Sequence, residues 1–331
     1  MVVTDLATIN KTNQPLQFGF LLLPNFSLIG FSSAIEPLRM ANWVSGDNLY
    51  ETFTICAEGS AVASSCGATV QVDIALEEIP PLDAVFVVGA SPVARTGNES
   101  VIAWLRQQDK NQQIALGGIG TGSYLLACAG LLDGYRATIH WWDIASLREE
   151  FPQTIVSNHL FEIDSNRFTC SGGTAAMDMM LFLIGKHHGL ELASAISEQF
   201  VCERIRPGED PQRAPLKVRI GTSHSKLVEA VALMEANIEE PLSTDDLAFH
   251  VGVSRRHLER LFKKHLQSVP SKYYLQLRLE RARQLLQQTD KAIAQVGLSC
   301  GFATASHFST TYRGHFGVTP RQERQQLLNE K

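Results

Sequence analysis

A fourteen-residue pattern occurs twice near the end of the chain, and it limits the possible folds of that part more than any other feature. His257-Leu-Glu-Arg-Leu-Phe-Lys-Lys-His265-Leu-Gln-Ser-Val-Pro270 returns fifty residues later as His307-Phe-Ser-Thr-Thr-Tyr-Arg-Gly-His315-Phe-Gly-Val-Thr-Pro320. A duplicated supersecondary unit presents the same buried face twice. Ahead of the first copy, Ser243 is placed to cap a helix, and Asp246 sits three residues on in the capping-box position. Leu247, Ala248 and Val251 make an apolar stripe, Gly252 permits a turn, and Ser254 caps a second helix. Leu258, Leu261 and Phe262 then share the inward face at helical spacing. The unit reads as helix, turn, helix. Arg255, Arg256, Glu259, Arg260 and Lys263 are left on the outward face, where cations suit guanine edges and phosphates of a major groove. Ahead of the second copy, Ile293-Ala294 takes the place of Leu247-Ala248, which predicts a second turn longer by four residues through Ser299-Cys-Gly-Phe302. Ser271–Gln288 between the copies predicts a helix of ~18 residues and ~27 Å. A spacer of that size suits two reading helices near the ~34 Å of one DNA turn.

Charge divides the chain in the same place. Residues 1–221 hold 14 Lys and Arg against 23 Asp and Glu, whereas residues 222–331 hold 15 against 11, so a basic module follows an acidic one. A basic module predicts a polyanionic partner. Glu203–Pro215 contains three prolines and a glycine among alternating charges, which predicts an exposed linker. The expected division is a flexible start at 1–15, a first domain at 16–202, a linker at 203–221 and a second domain at 222–331.

The first domain alternates strand and helix patterns. Leu16–Leu23, Thr52–Ala57, Ala84–Val88, Gln113–Gly117, His159–Ile163 and Phe168–Cys170 read as strands. Leu28–Val44, Glu99–Gln108, Gly122–Ala129, Asp143–Glu150, Thr174–His187 and Leu190–Phe200 read as helices. Continuous apolar strands need a sheet covered on both faces. The expected fold is an α/β three-layer sandwich with a mostly parallel sheet, followed by an all-α domain with two helix-turn-helix units. Hydrophobic residues at 44% and charged residues at 19% exclude a disordered or collagen-like chain. No apolar run approaches the ~20 residues of a membrane span, and Met1–Gln17 lacks the apolar core of a secretion leader. The six cysteines show neither C-x-x-C nor zinc spacing, which predicts free thiols in a reducing cytoplasm and no metal or cofactor.

Ile114-Ala-Leu-Gly-Gly-Ile-Gly-Thr-Gly122 runs from a strand into a helix through glycines. That is the layout of a nucleophile elbow, a sharp turn that lifts one side chain above a sheet. Gly120 stands where the nucleophile would be, so covalent catalysis at this turn is impossible. The helix-start amides of Gly120, Thr121 and Gly122 are suited to an anion such as a carboxylate.

Residues 16–200 resemble the class I glutamine-amidotransferase-like fold in its intracellular-protease (PfpI-like) branch. The resemblance rests on Pro24-Asn-Phe-Ser, Ser33-Ala-Ile-Glu-Pro-Leu38, the Gly118–Gly122 turn, Leu131–Trp141 and Ser171-Gly-Gly-Thr-Ala-Ala-Met-Asp178. It implies an acidic residue at Glu36 and a histidine at His140 beside the elbow. Asn25 and Phe26 after the first strand and Trp141 after His140 stand close to these in sequence and are expected to complete a small-molecule pocket. A zwitterion would fit such a set: carboxylate on the turn amides, ammonium between Glu36 and the aromatic faces of Trp141, Trp43 and Phe26. Residues 225–327 resemble the AraC/XylS transcription regulators, through Ile293-Ala-Gln-Val, Cys300–Ser309, Tyr312-Arg313 and Phe316-Gly-Val-Thr-Pro-Arg321. That resemblance implies base contacts from Arg256, Glu259 and Arg260 and, in the second unit, from Ala305, Ser306, Ser309 and Thr310. Arg255, Lys263, Lys264, Arg313 and Arg321 become phosphate contacts. Together the halves resemble the GlxA-type regulators, closest to activators responding to arginine, carnitine or glycine betaine. The resemblance implies a non-enzymatic activator with double-stranded DNA, a small effector, RNA polymerase and a second copy of the chain as partners. The competing expectation is a hydrolase or lyase using Glu36 and His140 with water.

Overall fold

The computed structural model describes residues 14–91, 93, 98–110, 114–289 and 291–329. Residues 1–13 of the start expected to be flexible lie outside the described residues. The chain forms two compact units that meet between Gln212 and Arg213.

The first unit is built on strands β1 (Leu16–Leu22), β2 (Tyr50–Cys56), β3 (Ala61–Ala63), β4 (Thr69–Gln71), β5 (Ile74–Ala75), β6 (Ala84–Val88), β7 (Ala115–Ile119), β8 (Arg136–Ala137), β9 (Ile155–Val156), β10 (Phe161–Asp164) and β11 (Arg167–Cys170). Seven of them form one sheet in the order β10-β11-β7-β6-β1-β2-β5. Every pairing in it is parallel except β10 with β11. The chain builds outward from β1 in one direction and from β6 in the other, which opens a crevice beyond their carboxyl ends.

Helices α1 (Leu28–Ser45), α2 (Glu99–Lys110), α3 (Gly122–Cys128), α4 (Ile144–Glu150), α5 (Ala175–His188) and α6 (Leu190–Gln199) accompany the sheet. Phe18, Phe20 and Leu22 alternate with Leu21 and Leu23 along β1 and its exit. The first set packs with Phe31, Leu38, Met179 and Leu183 from α1 and α5. The second packs with Val101, Leu105, Leu125 and Leu126 from α2 and α3. Period-2 alternation between two helical layers is why the strand reads as unbroken apolar sequence.

Strand β7 ends two residues later than its glycines suggested. Gly117 and Gly118 are strand residues, kept small by their neighbours. A Cβ on Gly117 would meet the Phe86 ring at 2.2 Å, and one on Gly118 would meet the Ser123 nitrogen at 2.4 Å. The predicted exposed linker also differs. Residues 204–212 dock on the first unit, because they can complete its hydrogen bonds: Leu160 N–H donates to the carbonyls of Gly208 and Asp210, and Arg206 pairs with Asp178.

The second unit is helical: α7 (Leu216–Arg219), α8 (Ser225–Ala236), α9 (Thr244–His250), α10 (Arg255–Leu266), α11 (Pro270–Gln288), α12 (Ile293–Ser299), α13 (Ala305–Phe316) and α14 (Pro320–Asn329). Helix α11 joins two small cores. Leu258, Leu261, Phe262 and Tyr274 belong to one, and Leu279, Leu285, Phe308 and Tyr312 to the other. The repeat is closer than the alignment on Ile293-Ala294 predicted. Helices α9 and α12 both have seven residues, and their buried pairs are Leu247-Ala248 and Val296-Gly297. Four residues separate α9 from α10 and five separate α12 from α13, so the second turn is longer by one residue only. The apolar Ile293-Ala294 pair misled because it stands in the first turn of α12, ahead of the buried pair. Among the described residues no helix is long and apolar enough to cross a membrane.

Candidate functional site

The crevice beyond the sheet holds a pocket of about 380 Å³, within the range of small-molecule sites. Loops at the ends of β6, β7 and β11 supply Gly89, Ser91, Gly120, Thr121, Ser171 and Gly172. The start of α1 supplies Ser27 and Ile29. The Ser27 hydroxyl also accepts from Gly30 N–H at 3.2 Å, which fixes where the helix begins.

Gly120 has φ +62°, the left-handed conformation that a side chain disfavours. A Cβ there would stand 2.9 Å from the Gly89 oxygen. The elbow has therefore kept its sharp turn without a nucleophile. The Gly120 N–H donates to the Cys170 carbonyl at 3.1 Å, so this residue contributes shape and not a free amide. Thr121 Oγ1 donates to the Ala90 carbonyl at 2.9 Å, tying the elbow to the loop after β6. The Cys170 thiol lies nearby at the end of β11, but burial pushes its pKa up to about 12. It is a thiol and not a thiolate, hence a poor nucleophile.

His140 and Trp141 both line the pocket, their rings 5.4 Å apart. Burial holds the His140 pKa below its ordinary value, favouring the neutral imidazole. Its Nδ1 lies 3.9 Å from Oδ2 of the buried Asp143, and that carboxylate accepts from Ser91 Oγ at 2.5 Å.

Four expected residues stand elsewhere. Glu36 lies seven positions beyond Ile29 in α1, about 10 Å along the axis, and pairs with Arg39 at 2.7 Å. Phe26 is fully buried in the core, packed edge-on against Phe31. A β-bridge between Phe26 and Ser64 fixes that inward direction. Asn25 is exposed in a turn with φ 59° and does not line the pocket. Trp43, at the far end of α1, is two-thirds exposed. The zwitterion arrangement around Glu36 is therefore not the one formed.

Two wall residues were missed because they lie in the segment that composition marks as linker. Arg206 and Gln212 both line the pocket. Arg206 grips Asp178 through its main-chain N–H at 2.8 Å, Nε at 2.9 Å and Nη2 at 2.6 Å. Gln212 Nε2 donates to Thr138 Oγ1, Ile139 O and His159 O at 2.8–2.9 Å. The one sequence signal was Asp178, an acid among the apolar residues that open α5, which requires a buried partner.

In the second unit, Ser243 Oγ accepts from Asp246 N–H at 3.1 Å and Asp246 Oδ2 accepts from Ser243 N–H at 3.2 Å. Ser254 and Thr304 cap α10 and α13 through the N–H groups of His257 and His307, each at 3.2 Å. On α10, Arg255, Arg256, Arg260, Lys263 and Lys264 are exposed and Glu259 is half-buried. Arg255 is bridged to Asp245 at 2.9 Å and to Glu259 at 3.0 Å, so a base or phosphate must compete for both. On α13, Ala305, Ser306, Thr310 and Arg313 are exposed and Ser309 is half-buried; Arg321 is exposed on α14. The first surface is cationic and the second nearly neutral.

Residues 19–186 match the DJ-1/PfpI family and residues 247–326 match a helix-turn-helix domain. The chain is 51% identical over 315 residues to the HTH-type transcriptional regulator GbdR of Pseudomonas aeruginosa, covering 95% of this chain and 86% of that one. It is 50% identical over 307 residues to the HTH-type transcriptional regulator CdhR of the same species, covering 93% and 91%. The structure of an AraC family transcriptional regulator from Pseudomonas putida superposes with a TM-score of 0.52 at 28% identity, over 56% of this chain and 100% of that one.

Proposed function

We infer a ligand-controlled switch on transcription from one premise: this chain belongs to the AraC-type, helix-turn-helix transcription regulators whose first domain is of the DJ-1/PfpI family. The first domain binds a small nitrogenous metabolite, and the second reads double-stranded DNA with α10 and α13. A second copy of the chain and RNA polymerase are the expected protein partners, activation the expected sign, and the cytoplasm the expected place. One observation carries this reading: an enzyme-type elbow that keeps its sharp turn at Gly120 and its pocket while lacking a nucleophile. A binding site released from turnover is what a sensor needs. The ligand must favour the DNA-competent state differentially, since equal binding to both states shifts nothing.

Reading of bases falls mainly to Arg256 and Arg260, whose exposed guanidiniums match the bidentate edge of guanine. The near-neutral face of α13 suits backbone and shape contacts. The enzyme reading loses its acid–base pair, because Glu36 stands on another part of α1, paired to Arg39.

The test has two arms. Calorimetric titration with arginine, carnitine and glycine betaine should give saturable heat for at least one. Purified protein mixed with genomic fragments should enrich a few promoters, and the ligand that binds should change that enrichment. Arg260→Ala should cost about 1–3 kcal/mol at one base pair and relax the preference there. Equal loss on all DNA would remove Arg260 from base reading. Turnover of any bound amine would overturn the sensor reading.

A further inference from the structure

The charge of the pocket is set by a residue outside the elbow. Among the described residues no Asp or Glu lines it, and Arg206 is the charged side chain in its wall. Asp178 and the Thr174 hydroxyl hold one edge of the guanidinium, through Nε and Nη2. Nη1 carries two N–H donors for which the described residues provide no hydrogen-bond acceptor. One third of the side chain is exposed, whereas Asp178 is almost fully covered. An arginine oriented by a buried acid and left with a free edge in a cavity is preorganised for a planar anion. The neutral His140 and the Trp141 face add no competing charge.

The chain around Arg206 gives this geometry a second consequence. Leu160 N–H donates to Gly208 O at 2.9 Å and to Asp210 O at 3.0 Å. A Cβ on Gly208 would come within 3.0 Å of the Phe161 oxygen, so the segment lies against β10. Gln212, at the end of the first unit, is fixed by three acceptors. The next residue, Arg213, begins the second unit. The residue that would hold an anion is thus carried on the stretch of chain that enters the DNA-binding unit.

We propose that Arg206 anchors the carboxylate of the effector, and that residues 204–212 are the element whose seating the effector strengthens. This rests on the sensor reading and adds to it a chemical requirement, a carboxylate, and a route. A carboxylate on Nη1 adds a bond to the segment's own attachment, so occupied protein holds the segment more firmly. Effector and DNA affinity are then coupled through nine residues of shared chain.

The experiment compares acids with analogues that lack the carboxylate, on the full chain: arginine with agmatine, its decarboxylated form, and glycine betaine with choline, in which an alcohol replaces the acid. The wild type should bind an acid at least about tenfold more tightly than its partner, the weight of a charged hydrogen bond. Arg206→Gln should lose that acid about tenfold or more. Arg206→Lys, which keeps a cation for Asp178, should retain part of the affinity. Amide exchange across residues 204–212 should slow when the acid is bound. If Arg206→Gln unfolds, Arg206→Lys and the wild-type ligand pairs still decide the matter. Equal binding of an acid and its partner, or unchanged affinity in both variants, overturns the anchor. Unchanged exchange in the segment overturns the route. Silence of all four probes on the wild type overturns the sensor reading, and the anchor with it.

Discussion

Gly122→Ala isolates the packing on which the pocket depends. Gly122 opens α3 with ordinary helical backbone, so alanine brings no penalty of conformation. The added methyl would stand 1.9 Å from the Val87 carbonyl oxygen and 2.7 Å from its carbon. Both are main-chain atoms of β6, in the middle of the sheet, and no flexible side chain can yield. Restoring contact at about 3.5 Å requires α3 and β6 to part by more than ~1.5 Å, which breaks the close packing of Leu125, Leu126 and Val87. Overpacking in a well-packed core costs about 1–3 kcal/mol, and a backbone obstruction belongs at or above the top of that range. For a domain near 200 residues, each kcal/mol lowers Tm by roughly 2–4 °C. The expected loss is therefore about 6 °C or more in the first unit's melting transition. Gly46→Ala is the control, with φ +75° and nothing within 4 Å of the added atom. It should cost only the left-handed strain of about 1–2 kcal/mol. Differential scanning calorimetry reads both variants. If Gly122→Ala melts with the wild type, or loses less than Gly46→Ala, the steric argument for the elbow is wrong.

Leu258→Ala removes a fully buried side chain of α10 and should destabilise the second unit by about 2–5 kcal/mol; DNA binding should fail while calorimetric ligand binding by the first unit persists. Glu323→Ala removes the buried acceptor of Arg283 Nε at 2.9 Å and Gln287 Nε2 at 2.8 Å; because Arg283 is nearly half exposed, the cost should be about 1–3 kcal/mol by urea denaturation. Burial lowers the His140 pKa in the folded state, so the fold binds fewer protons there than the unfolded chain does. Its contribution is present above the ordinary value of 6.5 and is lost as pH falls toward the folded value; His140→Asn should flatten the melting profile in that window. Hydrogen bonds from Ser243 lower the Asp246 pKa. The same sign applies in the acid range, and Ser243→Ala, which keeps the main-chain N–H to Asp246, should weaken that dependence and cost about 0.5–2 kcal/mol of cap stability.

The local readings that succeeded share one property: each depends on residues near one another in sequence. Caps at Ser243 and Ser254, the stripe of Leu258, Leu261 and Phe262, and the doubly buried strand through Phe18–Leu23 follow from period and turn chemistry. The elbow was legible for the same reason, since one short segment carries both the turn and the missing nucleophile. Errors arose where a choice between neighbours depended on distant atoms. Gly118 looks like a turn residue until Ser123 occupies the space of its side chain. Ile293-Ala294 looks like the buried pair until Val296-Gly297 fills the core beside Phe308.

The amino-acid order alone determined two units of different class, the duplicated helix-turn-helix unit and a pocket-bearing turn stripped of its nucleophile, because local periodicity and single-residue chemistry suffice for each. Tertiary structure decided the composition of the pocket wall. It moved Glu36 out through the pitch of α1, sent Phe26 into the core, and brought Arg206 and Gln212 in from a stretch that reads as linker. Nothing in a proline- and charge-rich segment announces that its backbone will satisfy Leu160 or that its arginine will meet Asp178. Such pairings cross 28 to 74 positions of chain, and only the closed fold brings those groups within hydrogen-bond reach.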